Sequence, residues 1–411
     1  MKRVVITGMG VISPLGNDTA TFWKNVRNGK SGISTIDLFD VTDSKTKIAG
    51  IVRDFDAEGI FGKKEARKID RFSQFALAAA EQALIDSNIN LDKIDRERLG
   101  VYVGSGIGGI QTLIDQVNTL NEKGPRRVSP NLVPMMIANA ASAQISIRLG
   151  ALGPSMSPVT ACSIGNTSIG EAYRAIQHGD ADVMFAGGAE AAITKLSLAS
   201  FGNATALSTN NDQPTKASRP FDINRDGFVM SEGAGIIVLE SLEHALQRDA
   251  NIYGEMIGYG ASSDAYHMVA SHPEGNGASQ AMNKALNDAK IAVHEVDVIS
   301  AHATSTTVGD ISETKAIKHV FKDHAYNIPV TANKSMFGHM LGATGGVEAI
   351  ALLQSLIDHF IPPTINLEHP DPQCDLDYVA NEGRHAQLNI GLSNSFGFGG
   401  HNAVIILKTF S

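Results

Sequence analysis

The sequence predicts an α/β protein built from two similar halves, and three observations predict it. Strand-like apolar runs alternate with helical stretches, glycines gather where those runs end, and one segment is echoed later in the chain. The runs VVITGMG, LGVYVGSG, DVMFAGGAE, GAGIIVLES and VDVISAHA read as strands, whereas FSQFALAAAEQALIDSN and IGEAYRAIQHGD carry helical spacing. The chain holds 40 glycines, and strand ends are where α/β folds place their sites. The echo pairs VTACSIGNTSIGEA, from Val159, with VTANKSMFGHMLGATGGVEA, from Val330. Each copy reads as strand, VTA, polar turn and small-residue helix, so a duplicated unit would turn two equivalent loops toward a common site. The start, MKRVVITGMGVISPLG, reads as a strand entering a turn at Gly8 and Gly10 rather than as a signal peptide.

Composition narrows the classes of function. With 411 residues, 43% of them hydrophobic and 19% charged, the chain is a packed globular protein. It has no run of about 18 apolar residues, so no membrane span and a cytoplasmic location are expected. A net charge of −9 argues against nucleic acid, because neutralising phosphates needs a basic surface. Basic residues are concentrated locally instead. In KKEARKIDR, Lys63, Lys64, Arg67, Lys68 and Arg71 recur at helical spacing, and Arg126 and Arg127 follow in KGPRRVSP. A helix would gather the first set on one side, either as a solvated face or as a dock for an acidic partner.

Two motifs invite a ligand and fail on inspection. GSGIGG, residues 104–109, fits a dinucleotide fingerprint, but the acidic residue due about 20 positions later is missing. It reads as close packing or a pocket wall. DINRDG begins like a calcium loop from Asp222, yet position 233, where the bidentate glutamate belongs, is Gly233. Cys162 and Cys374 lie far apart with no CxxC spacing, so neither a metal site nor a disulfide framework is expected.

The remaining chemistry centres on Cys162. It falls at a strand-to-helix junction, where the helix N-terminus favours thiolate and the backbone N–H can face an oxyanion. Taken alone, Cys162 reads first as a small buried apolar residue. His302 follows the apolar run VDVIS, and His339 sits five residues after Lys334 in a glycine-rich turn. Near the end, NSFGFGGHN sets Phe398 among glycines, as a movable wall or a tight turn. A thiol with two histidines and a lysine suits an enolate held by neutral imidazole N–H groups, and a carbon nucleophile meeting a cysteine thioester is a Claisen condensation.

These segments, with HATSTTVGD, RPFDINRDGFV and KGPRRVSP, resemble the β-ketoacyl-acyl carrier protein synthases of bacterial fatty acid synthesis, the elongating enzymes above all. The resemblance runs in order over nearly the whole chain. It implies a thiolase-like, five-layered αβαβα fold, with halves 1–251 and 252–411, in a homodimer. It also implies that Cys162 accepts the acyl chain from an acyl carrier protein, while His302 and His339 assist decarboxylation of a malonyl-carrier and Lys334 tunes the site. Backbone N–H groups of Cys162 and Phe398 would form an oxyanion hole. Thr304 and Thr306 would contact the phosphopantetheine arm, which the carrier delivers, so no resident cofactor is expected. Ile107, Phe201 and Phe396 would bound the substrate pocket, Glu348 would be structural, and the basic residues 63–71 and 126–127 would dock the carrier.

Three departures from the family pattern are Ala303 where glycine is usual, Phe337 where threonine is usual, and the segment Ser163–Asn166. Added bulk at 303 and 337 is expected to alter loop geometry or malonyl access. The alternative function is a carrier-binding partner subunit with weak or altered condensing activity.

Overall fold

The computed structural model describes residues 1–410. Ten strands join in one mixed sheet: β1 (Val4–Ile12), β2 (Leu99–Gly104), β3 (Ser155–Met156), β4 (Val183–Glu190), β5 (Gly233–Ser241), β6 (Gly254–Ser263), β7 (Val298–Ser300), β8 (Val330–Thr331), β9 (Ile390–Gly397) and β10 (His401–Lys408). They lie in the order β8-β7-β9-β10-β6-β1-β5-β4-β2-β3. Reading outward from the centre, the strands of the two halves follow one another in the same order. The halves join by a short seam, Val4–Ile6 against Gly254–Met256.

The principal helices are α1 (Arg71–Ser87), α2 (Ile110–Lys123), α3 (Ala140–Leu149), α4 (Ile164–His178), α5 (Asn276–Ala289), α6 (Thr307–Phe321) and α7 (Thr344–Asp358). Apolar residues of α1 and α3 cover the outer face of the first half-sheet, and those of α5 and α6 cover the second. Between the half-sheets run α4 and α7, which touch strands of both. The stack is helix, sheet, helix, sheet, helix.

The first strand departs from the expected turn. It continues through Gly8 and Gly10 to Ile12, because α1 lies against it so closely that a Cβ on Gly10 would meet the Ala79 carbonyl at 2.0 Å. The glycines serve strand-to-helix contact rather than a bend.

The basic segment is also corrected. It is not one helix: a single turn, Lys63–Ala66, ends before α1 starts behind its N-cap, Asp70. Lys63, Lys64 and Arg67 stay exposed, and Lys68 bonds Glu65 at 2.9 Å. Arg71 leaves the expected patch altogether. Its guanidinium donates to both oxygens of buried Glu232, at 3.0 and 2.7 Å, and lies over the Phe75 ring. A paired, half-buried arginine is a tether for α1, not a free docking charge.

The middle layer depends on glycine. A Cβ on Gly165 would lie 2.3 Å from the Gly346 nitrogen, and one on Gly345 would lie 2.6 Å from the Asn166 nitrogen. The contact is reciprocal, as expected of duplicated helices crossing near a pseudo-dyad. Asn166 then donates from Nδ2 to the Ser393 and Ala403 carbonyls, at 3.0 and 3.2 Å, tying α4 to β9 and β10. Segment Ser163–Asn166 is therefore a packing element of the central layer. Gly345→Ala should lower stability by about 2–3 kcal/mol in urea unfolding, the usual cost of overpacking a closed contact. A loss below about 0.5 kcal/mol would mean the helices can separate freely.

Candidate active site

Cys162 sits in the 3-10 turn Ala161–Ser163 that feeds α4, with Ala161 in the left-handed region at φ 51°. The backbone N–H groups of Cys162 and Phe398 lie near its sulfur and favour its charged form. The strand end is drawn in closely: Ser395 Oγ donates to the Cys162 carbonyl at 3.0 Å, and a Cβ on Gly397 would lie 2.9 Å from the Cys162 nitrogen. Gly399 and Gly400, at φ 81° and 73°, let the chain turn back around Phe398. Two N–H groups converging on one point form an anion hole in waiting.

A cavity of about 520 Å³ opens in front of the thiol. Its lining brings together Cys162, His302, His339, Phe398, Ile107, Phe201, Phe396, Thr304 and Thr306. The two imidazoles stand perpendicular with ring centres 5.5 Å apart, and Phe396 is 5.5 Å from His302. The Phe398 ring lies 6.3 Å from Phe201. The hydroxyls of Thr304 and Thr306 are 3.0 Å apart.

His339 is fixed by its Nδ1, 3.1 Å from the Thr344 hydroxyl at the start of α7, which leaves Nε2 as the free ring nitrogen. His302 is fixed through its backbone: Glu313 accepts the N–H groups of His302 and Ala303 at 2.8 and 2.7 Å, and the Asn394 amide at 3.0 Å. Composition had given no hint of Glu313. Its signal is an acidic residue on the apolar side of α6, eleven positions after the histidine, where only a buried acceptor role makes sense.

Lys334 and Glu348 do not line the cavity. They form a buried ion pair behind it, with Lys334 Nζ 2.7 Å from Glu348 Oε1. Burial pushes Glu348 up to about 7 against the pull of Lys334. Burial, and then the Lys334 charge, hold both histidines well below the usual imidazole value. They are neutral at physiological pH, so each can donate one N–H.

The thiol departs from expectation. Burial pushes Cys162 up to about 12, with Glu190 adding to the rise and Lys334 opposing it. The helix N-terminus does not overcome desolvation, and the resting group is SH. The two bulk departures part ways as well. Phe337 turns into the core, 6.1 Å from Phe22, and does not line the cavity, so it narrows no access route. Ala303 does line it and is held at φ 31°, a region that favours glycine. GSGIGG wraps the buried Glu190 carboxylate, which fills the place a phosphate would take. Asp222 accepts three backbone N–H groups and pairs with Arg219, leaving DINRDG no open calcium loop.

Alkylation of Cys162 by iodoacetamide should keep rising about tenfold per pH unit through about pH 10, because thiolate fraction limits the rate. A plateau with its midpoint below about pH 8 would reveal a stabilised thiolate instead.

Residues 1–245 match the family model for the beta-ketoacyl synthase N-terminal domain, and residues 253–368 match its C-terminal domain. The chain is 50% identical over 409 residues to a 3-oxoacyl-(acyl-carrier-protein) synthase 2 of Synechocystis sp., covering 100% of this chain and 98% of that one. A protein of the same name from Staphylococcus aureus is 51% identical, with coverage of 100% and 99%. Among solved structures, the ketosynthase complexed with a type II PKS acyl-carrier protein and bound to the hexaketide superposes with TM-score 0.93 at 35% identity, over the whole of both chains. A beta-ketoacyl synthase from Burkholderia phymatum gives 0.92 at 34%, again over both whole chains. With the layered fold, the buried thiol and its two neutral histidines, these matches establish that the chain belongs to the beta-ketoacyl synthase family.

Proposed function

We infer that the protein is an elongating β-ketoacyl-acyl carrier protein synthase, an acyltransferase of fatty acid biosynthesis. The observation that carries the mechanism is one cavity that joins a thiol, two N–H groups aimed at its sulfur and two neutral imidazoles. In the first step Cys162 Sγ bonds the acyl carbonyl carbon of an acyl-carrier. The Cys162 proton leaves through a neighbouring imidazole to the departing phosphopantetheine thiolate. N–H groups of Cys162 and Phe398 hold the tetrahedral oxyanion.

In the second step the malonyl-carrier loses its terminal carboxylate as CO₂. The electron pair becomes an enolate, whose oxygen accepts hydrogen bonds from His302 and His339. Its carbon attacks the acyl-Cys162 carbonyl, and collapse expels the Cys162 thiolate, which takes up one proton from solvent water, the proton consumed by the overall reaction. The products are β-ketoacyl-carrier and CO₂. Lys334 acts at a distance, keeping the imidazoles neutral and offsetting negative charge as it develops. These steps use only groups of the chain and the arm that the carrier brings, with Thr304 and Thr306 as contacts for that arm. The intact set of groups speaks against the alternative of a carrier-binding partner subunit with weak or altered condensing activity.

The division into halves 1–251 and 252–411 belongs to the same reading and is supported by the repeated strand order about the β1–β6 seam. So does a homodimer in the cytoplasm. Edge strand β3 is exposed, and α2 buries none of its residues while Leu113, Val117 and Leu120 form an open apolar stripe along it. No helix among the described residues is long and apolar enough to cross a membrane. The carrier dock is assigned to Lys63, Lys64 and Arg67, with Arg126 and Arg127, all exposed.

Cys162→Ala should abolish the covalent acyl adduct seen by mass spectrometry and lower condensation by about three orders of magnitude or more. Retained turnover would sink the mechanism. Reversing Lys63, Lys64 and Arg67 to glutamate should raise KM for acyl-carrier by about tenfold, with the effect shrinking as salt rises. Equal KM values for the two proteins would move the dock elsewhere.

A further inference from the structure

Glu190 ends β4 with its carboxylate fully buried at the cavity wall. Four donors converge on it. Oε1 accepts from the Ser105 hydroxyl at 2.7 Å and the Ile107 N–H at 3.1 Å, and Oε2 accepts from the N–H groups of Gly106 at 2.9 Å and Gly342 at 3.0 Å. Burial raises the Glu190 carboxyl above its usual value, and the four donors, which favour the carboxylate, oppose that rise. The fit is close on both sides: a Cβ on Gly106 or Gly342 would lie 2.9 or 2.8 Å from Oε2.

The donors come from two separate turns. Ser105, Gly106 and Ile107 belong to the turn after β2, and Gly342 belongs to the turn Leu341–Ala343 that enters α7. Ile107 and Leu341 both line the cavity. Without an acceptor between them, three backbone N–H groups and a hydroxyl would face one another at the wall of an apolar pocket.

We propose that Glu190 is a positioning residue for the acyl wall: its carboxylate clamps the Ile107 turn to the Leu341 turn and fixes the channel that receives the chain beside Cys162. The inference rests on the condensing function above and deepens it, by assigning chain selection partly to a residue that bonds backbone. Glu190 also pushes the Cys162 thiol upward, against the pull of Lys334 behind the histidines. Replacing one oxygen with an amide NH₂ would set donors against donors and release one turn. Long chains need the whole wall and lose more than short ones.

The test compares Glu190→Gln with the parent enzyme across acyl-carriers of increasing length, together with alkylation by iodoacetamide. The ratio of kcat/KM for a long chain to that for a short one should fall by about tenfold, the worth of one lost charge-assisted bond. Alkylation of Cys162 at about pH 8 should rise by about threefold or more, because a negative charge facing the thiol is gone. A parental ratio, or a parental alkylation rate, overturns the proposal. If Glu190→Gln does not fold, Ser105→Ala decides: it keeps the charge, removes one donor, and should shift the length ratio in the same direction. A folded Ser105→Ala with the parental ratio likewise overturns the clamp. Alkylation needs no condensation, so a parent enzyme that alkylates normally but never condenses would count against the function and not against the clamp.

Discussion

The close crossing of α4 and α7 is the contact on which the rest of the molecule depends. Gly165 and Gly345 allow backbone to meet backbone between the half-sheets. Each helix is entered through a turn that faces the same cavity, one bearing Cys162 and the other following His339. The distance from the Cys162 thiol to the imidazoles is thus set by main-chain contact, the stiffest ruler a fold possesses. Asn166 fastens the arrangement to the strand pair that ends in the Phe398 loop.

Desolvation governs the electrostatics of this site. It keeps the thiol protonated and the histidines uncharged, and it leaves the Lys334–Glu348 pair as a buried source of field. A site built this way keeps the thiol and both imidazoles uncharged at rest, so that fixed N–H dipoles can meet developing charge without the reorganisation that water would require.

Much of this was legible in the letters, and the failures have identifiable causes. The alternation of strands and helices and the VTA echo pointed to a duplicated α/β chain, because burial imposes those periods on sequence. The structure refines the echo: Ala161 and Leu341, both non-glycine residues in the left-handed region at φ 51° and 48°, mark equivalent turns, so the counterpart of Cys162 is Gly342. The acidity of the thiol was misjudged because a helix terminus is visible in sequence and desolvation is not. Arg71 was counted with its basic neighbours because its partner, Glu232, lies 161 positions away. Glu190 left no local pattern, and Glu313 only its place on the apolar side of α6, since most of their donors are backbone groups that any residue can supply.

That equivalence of turns bears on stoichiometry. Duplication furnishes the chain with two helix-entry turns of the same build, and each could offer its N–H to an incoming oxyanion. At Cys162 the N–H remains available beside the sulfur, whereas at Gly342 it is bound to Glu190. Of the two turns, the second has its N–H bound to an internal carboxylate, so the doubled architecture offers one open anion-binding turn and not two.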